Sequence, residues 1–132
     1  MEILQPPGWK RPRGYSNGIA ARGKSVFVAG QVGWNAAEQF ETDDFAGQFK
    51  QALLNIKAVL AEAGAGPEHV TRFTIFMTSK REYFAAIKEV GEAYRAVFGR
   101  HYPAMTAVEV VALMEERAKL EIEATAVVPD AG

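Results

Sequence analysis

The sequence predicts an α+β fold, in which a single mixed β-sheet carries two helices packed on one face. Runs of β-branched and aromatic residues alternate with two long segments whose apolar residues recur every three or four positions. The predicted order is strand, helix, strand, helix, strand, strand. No linker or low-complexity segment interrupts this order, so residues 1–132 are predicted to form one domain.

The first strand is predicted at Ser25–Ala29, where residues typical of strands end at Gly30. From Asp43 the apolar period becomes that of a helix, which Thr42 or Asp43 can cap and Gly64 can end. The apolar face of this helix consists of Phe45, Phe49, Leu53, Ile56, Val59, Leu60 and Ala63.

The second strand is predicted at Val70–Thr78 because β-branched and aromatic residues dominate it. Ser79 and Glu82 then have the spacing of a capping box, which opens a helix that ends at Gly99. The inward side chains of this helix are predicted to be Tyr83, Phe84, Ile87, Val90, Tyr94, Val97 and Phe98.

Two strands, Ala107–Ala112 and Lys119–Val128, complete the chain. Their short connection around Met114–Arg117 predicts that they are adjacent and antiparallel. Side chains of the last strand alternate between two faces. Leu120, Ile122, Ala124 and Ala126 lie on the face expected to meet the helices, and Lys119, Glu121, Glu123 and Thr125 lie on the other.

Composition excludes several kinds of protein. The absence of cysteine excludes disulfides, thiolate metal sites and a cysteine nucleophile. Fifteen basic against sixteen acidic residues give a net charge of −1, so nucleic acid is not an expected partner. The sequence has no apolar segment of 18 residues, so a membrane is not expected either. The start of the chain lacks the features of a signal peptide, and a cytoplasmic location is expected. Residues 1–14, with Lys10, Arg11 and Arg13, form a basic N-terminal arm that is either solvated or a binding patch.

The central strands are apolar on both faces, although two helices can cover only one. The opposed pairs are Val26 and Val28 against Phe27, Phe73 and Ile75 against Phe76, and Val108 and Val110 against Val111. A bare apolar face typically marks an interface. The sequence therefore predicts an oligomer that buries the second face.

Four segments in this order resemble the RidA family, also called YjgF or L-PSP: Gly14–Gly18, Val28–Gln31, His101–Val110 and Leu120–Ala124. The resemblance covers the chain from Tyr15 to Val127. It implies a chorismate-mutase-like subunit, a homotrimer with clefts between neighbouring subunits, and hydrolysis of small imines or enamines with release of ammonia. Such chemistry needs no metal or organic cofactor, because an iminium carbon is already electrophilic.

The resemblance also implies roles for individual residues. Glu121 matches the family's glutamate that positions the attacking water, while Glu123 shares its face and stays an alternative. Tyr15 matches the tyrosine that lines the cleft, although a tyrosine packed at a turn is equally consistent. Gly30 matches the glycine whose backbone approaches the ligand, a task that requires a missing side chain.

Three other residues are candidates for substrate binding. Trp34 can form a cleft wall by stacking on a conjugated substrate, or it can anchor an interface. Asn17 can contribute a polar contact. His101 can donate to an anion or be a surface histidine. His69 and His101 lie far apart in sequence, so they do not suggest an acid–base pair for RNA cleavage.

Met105 departs from the family's pattern, because the characterised enzymes have an arginine there that binds the substrate carboxylate. A thioether offers only apolar contact in place of a bidentate ion pair. One possibility is that the site accepts a different substrate, with Met105 and Trp34 forming an apolar wall. Another is that Arg13 or His101 binds the anionic group of the substrate in place of the arginine. The departure is similar to that of the 2-aminomuconate deaminases. The remaining alternative is a non-catalytic metabolite-binding or chaperone-like trimer.

Overall fold

The computed structural model describes residues 1–130 and contains a four-stranded mixed sheet beside a small two-stranded one. In the large sheet the strand order is β3-β6-β4-β5. Strand β6 is antiparallel to both neighbours, while β5 is parallel to β4. The strands are β1 (Glu2–Leu4), β2 (Gly18–Ala20), β3 (Lys24–Val32), β4 (Val70–Met77), β5 (Ala104–Glu109) and β6 (Leu120–Val128). The α+β class and the mixed sheet are confirmed.

The predicted pairing of the last two strands is wrong. Strand β6 lies between β3 and β4, and β5 lies at the sheet edge beside β4. Two helices connect β4 to β5, and a crossover of that kind permits parallel pairing. Strand β5 also spans Ala104–Glu109 rather than the predicted Ala107–Ala112.

Helix α1 spans Phe45–Glu62, and the predicted caps Thr42 and Asp43 are both wrong. Asp44 caps it, since its carboxylate accepts the Gly47 amide hydrogen at 2.9 Å, whereas Thr42 accepts from the Asp44 amide. Gly64 has φ +69° just beyond the helix, which fits its predicted role as the permissive end residue.

The second predicted helix is two helices, α2 (Lys80–Ala85) and α3 (Ile87–Phe98), with Ala86 between them. The Ser79 hydroxyl accepts from the Glu82 amide at 3.1 Å as predicted, but the Glu82 carboxylate binds Lys119 instead of closing the box. Phe84 and Ile87 are exposed, contrary to the prediction, because their side chains border an open pocket instead of the core.

The core lies between the helices and one face of the sheet. Among residues 1–130, no helix is both long and apolar enough to cross a membrane. The largest fully buried apolar side chains are those of Phe73, Leu53, Ile56, Leu60, Leu120, Ile122 and Val70. Leu120, Ile122, Ala124 and Ala126 all face this core, which confirms the alternation predicted for β6.

The other face of the sheet is not covered by a helix. Glu121 is paired with Val32 on one side and with Phe76 on the other, so these side chains share that face. Phe27 on β3 is 77% exposed, and Val108 on β5 is exposed as well. Val111, predicted in a strand, lies beyond the end of β5 and is fully exposed.

The N-terminal residues fold back onto the molecule. Strand β1 pairs antiparallel with β2, and the Asn17 side chain donates to Gln5 at 2.8 Å. The side chains of Lys10 and Arg11 are nevertheless exposed. The beginning of the N-terminal arm is therefore attached to β2 and Asn17.

Candidate functional site

A pocket of about 580 Å³ opens between β5 and helices α2 and α3, and the loop before β2 closes one side. Phe49 of α1 and Ile75 of β4 line the pocket from the side of the core. The remaining lining residues are Arg13, Gly14, Tyr15, Tyr83, Phe84, Ile87, Val90, Gly91, Tyr94, Arg95, Tyr102, Met105 and Ala107. Its volume is within the range of small-molecule sites.

Aromatic side chains dominate the pocket walls. The rings of Tyr94 and Tyr102 stack with centroids 5.3 Å apart and an interplanar angle of 14°, while Tyr83 and Phe84 meet edge to face at 5.3 Å. The Tyr94 hydroxyl donates to the His101 carbonyl. Such walls suit a flat, conjugated ligand.

Two of the pocket tyrosines, Tyr83 and Tyr94, have a raised pKa and stay protonated at neutral pH. Burial raises the pKa of the Tyr94 hydroxyl well above its ordinary value, and the nearby Tyr102 adds to this effect. Burial also raises the pKa of Tyr83. Their hydroxyls therefore act as neutral hydrogen-bonding groups and not as bases.

Tyr15 and Met105 both line this pocket. Ser16 holds the Tyr15 loop against the start of β5: its amide donates to the Pro103 carbonyl at 3.0 Å and its hydroxyl to the Tyr102 carbonyl. Tyr15 itself is 41% exposed. Met105 pairs with Phe73, which places its thioether on the helix side of the sheet and against the core.

Glu121 and Gly30 form a second arrangement on the uncovered face. A Cβ built on Gly30 would overlap the Glu121 carboxylate, so only glycine leaves room for this group. The register of β3 against β6 shifts between Val28 and Gln31, which places the irregular backbone beside that carboxylate. Glu121 is half-buried, and none of the salt bridges among residues 1–130 includes it.

Glu123 has different surroundings on the same face. Its side chain is exposed and borders a shallow hollow of about 270 Å³ together with Phe27 and Arg72. No glycine beside it opens a comparable space. Glu121 is therefore distinguished from Glu123 by its partial burial and by Gly30.

The other predicted substrate contacts lie outside the aromatic pocket. One ring nitrogen of His101 lies 2.6 Å from the Val70 carbonyl, and the ring is partly buried there. Trp34 packs against Phe40 with centroids 5.7 Å apart. Asn17 borders a separate hollow that it shares with Met105.

Within one chain, the predicted residues form two groups. Arg13, Tyr15 and Met105 line the aromatic pocket, whereas Glu121 and Gly30 lie on the opposite face of the sheet. A single subunit therefore does not bring the carboxylate and the pocket together.

Sequence reasoning missed the contribution of α2 and α3 to the pocket. Phe84, Ile87, Gly91 and Arg95 lie at helical spacing along one side. The sequence signal was the Gly91–Arg95 pair at i and i+4, since a glycine inside a helix costs stability and usually has a local reason. Within the described residues, no group of histidine, aspartate and glutamate side chains is suited to holding a metal ion.

Comparison with known families identifies the fold. The model of the family described as Endoribonuclease L-PSP matches residues 9–128. The chain belongs to this family. The resemblance drawn from the four sequence segments is thereby confirmed at the level of the L-PSP family. Despite the family's description, His69 and His101 each contact backbone groups, namely the Gly66 amide and the Val70 carbonyl.

Three L-PSP relatives show the range of this likeness. The 2-iminobutanoate/2-iminopropanoate deaminase of Escherichia coli is 31% identical over 105 residues, or 80% of each chain. The structure of YyfB, a Rid family protein of unknown function from Yersinia pestis, has a TM-score of 0.82 at 29% identity and covers 96% of this chain and 98% of that one. Escherichia coli TdcF with bound serine has a TM-score of 0.68 at 29% identity and covers 97% and 99%.

Proposed function

We propose that this protein is a cofactor-independent deaminase that hydrolyses a small conjugated enamine or imine acid and releases ammonia. The observation that carries the proposal is the half-buried Glu121 carboxylate, which lies over Gly30 and is free of salt bridges to the described residues. A carboxylate in that setting can hold a water molecule and accept its proton. The 2-iminobutanoate/2-iminopropanoate deaminase among the relatives supports the reaction class.

The proposed assembly is a homotrimer with its sites at subunit boundaries. The uncovered sheet face presents Phe27, Phe76 and Val108, and burial of such a face is favourable. Packing of this face against a neighbour would bring the Glu121 carboxylate of one subunit to the aromatic pocket of the next. Light scattering at micromolar concentration is expected to give about three times the subunit mass of 14.4 kDa. A monomer would contradict the shared site.

The proposed reaction proceeds through the imine. An enamine first takes a proton at carbon to become an iminium ion. Water held by Glu121 then adds to the iminium carbon, and its proton passes to the carboxylate. That proton then returns to nitrogen, and the carbon–nitrogen bond breaks with loss of ammonia. The carbinol hydroxyl gives its own proton to the freed Glu121 carboxylate, so that a carbonyl remains, and Glu121 passes this proton to solvent. Tyr15 provides a hydroxyl that can hydrogen-bond the substrate or the water.

Met105 determines which substrates the site favours. A thioether cannot form the bidentate ion pair that an arginine makes with a carboxylate beside the reacting carbon. Together with Ala107 it presents an apolar surface to the pocket. The site is therefore expected to favour a longer, conjugated acid over the shortest 2-imino acids.

Ammonia release from a freshly generated enamine acid, compared with spontaneous hydrolysis, tests the activity. Purified protein is expected to accelerate release in proportion to its concentration. If a panel of short and extended enamine and imine acids shows no acceleration, the hydrolase proposal is wrong. Binding of the same acids without turnover would instead indicate a non-catalytic metabolite-binding trimer.

A further inference from the structure

We infer that Arg95 is the carboxylate-binding residue of the aromatic pocket, and that the pocket takes a planar aromatic or conjugated carboxylate. Arg95 belongs to the last turn of α3 and lines the pocket together with Tyr94 and Met105. The inference rests on the proposed function only in treating this pocket as the substrate site, because binding itself requires no hydrolysis.

Gly91 provides the geometric argument. A Cβ built on Gly91 would come 3.2 Å from a terminal nitrogen of the Arg95 guanidinium, which lies over the glycine one helical turn earlier. Glycine in the middle of a helix is unfavourable by about 1 kcal/mol relative to alanine. Here it allows the guanidinium to lie flat along the helix at the pocket wall.

The charge of Arg95 is available to a ligand. None of the salt bridges formed within residues 1–130 involves Arg95, nor Arg13 at the same pocket. The pocket lining contains no aspartate or glutamate. Two guanidinium groups at an aromatic pocket without a carboxylate of its own favour an anionic ligand.

The walls indicate the shape of that ligand. Phe84 is 65% exposed and Tyr15 is 41% exposed at this pocket, so both rings offer flat apolar surfaces, and the buried Tyr94 ring stacks behind Tyr102. Met105 and Ala107 add apolar contact on the β5 side. A molecule with a carboxylate at one end and a flat conjugated body at the other fits this combination.

Binding of trans-cinnamate tests the inference, because it has the predicted shape and no nitrogen to release. Calorimetry on the full-length protein should detect binding of cinnamate. Cinnamamide, the uncharged amide of the same shape, should bind about tenfold more weakly. Arg95→Gln should weaken cinnamate binding by about tenfold and leave cinnamamide unchanged, since only the charged contact is lost. Arg81→Gln, an exposed arginine of α2 outside the pocket lining, is the matched control and should change neither.

Equal binding of cinnamate and cinnamamide by the unaltered protein would overturn the inference without any variant. Equal effects of Arg95→Gln and Arg81→Gln would overturn it as well, as would absence of cinnamate binding. Cinnamate binding that depends on Arg95 in a protein that releases no ammonia would refute the hydrolase and retain the inference. Ammonia release that is unaffected by Arg95→Gln on every substrate would refute the inference about Arg95 and retain the hydrolase.

Discussion

The two halves of the candidate site differ in how the chain builds them. The aromatic pocket is lined by residues of three helices, β4, β5 and the N-terminal loop of one chain, and the Tyr94 and Tyr102 rings are stacked within it. The Glu121 half lies on the sheet face that no helix covers. The position of its carboxylate depends on Gly30 and on the register shift between β3 and β6. In the proposed mechanism, one half recognises a ligand and the other supplies a proton acceptor. Their separation on opposite faces suggests that assembly, rather than folding alone, completes the site.

The largest expected effect comes from the Glu121 half. Glu121→Gln is nearly isosteric and should preserve the oligomer, but it removes the proton acceptor. We expect it to lower the ammonia-release rate by about a hundredfold or more, the usual range for losing a positioned acid–base group. Steady-state rates together with light scattering measure both properties.

Glu123→Gln is the matched control, because Glu123 lies on the same strand face without a neighbouring glycine. It should change the rate little. Equal, small effects of the two substitutions would remove Glu121 from the mechanism and favour the binding protein.

The aromatic pocket is expected to determine which substrates are hydrolysed efficiently. We expect 2-iminopropanoate to be hydrolysed about a hundredfold less efficiently than an extended conjugated imine acid, because Met105 offers its carboxylate no ion pair. Met105→Arg should raise kcat/KM for the short acid. Efficient hydrolysis of the short acid by the unaltered protein would show that another residue binds its carboxylate in place of the missing arginine.

A smaller effect is expected for Gly30→Ala. The new methyl group would displace the flexible end of Glu121 without straining the backbone, so the rate should fall by about tenfold while the melting temperature changes little. Thermal unfolding and rate measurements on the same sample separate these effects. Full activity in Gly30→Ala would mean that the observed carboxylate position is not the working one.

Local patterns in the sequence predicted much of this structure. The alternation along β6 and the apolar face of α1 depend on short-range periodicity. Both agree with the observed burial, except that Val59, predicted on the apolar face of α1, is exposed. The order of the strands depends on pairing between distant segments, which no local pattern encodes. For the same reason the sequence did not predict that β6 would lie between β3 and β4.

The candidate site was predictable only in part. The four family-like segments identified Tyr15, Gly30 and Glu121, yet the contact between Gly30 and Glu121 joins two strands and is visible only in three dimensions. Arg95 was missed because a helical arginine is usually a solvated side chain. The break between α2 and α3 at Ala86 was missed as well, because no proline or glycine marks it.

The most direct test of the shared site uses mixed oligomers of two inactive variants. Glu121→Gln removes the acceptor, and Ile87→Trp fills the pocket from its exposed edge. When the two chains are refolded together in equal amounts, about a quarter of the subunit boundaries should combine two unaltered halves. The mixture should therefore recover about a quarter of the wild-type ammonia-release rate. A mixture no more active than its two parents, alongside full recovery of refolded wild-type protein, would contradict a site completed between subunits.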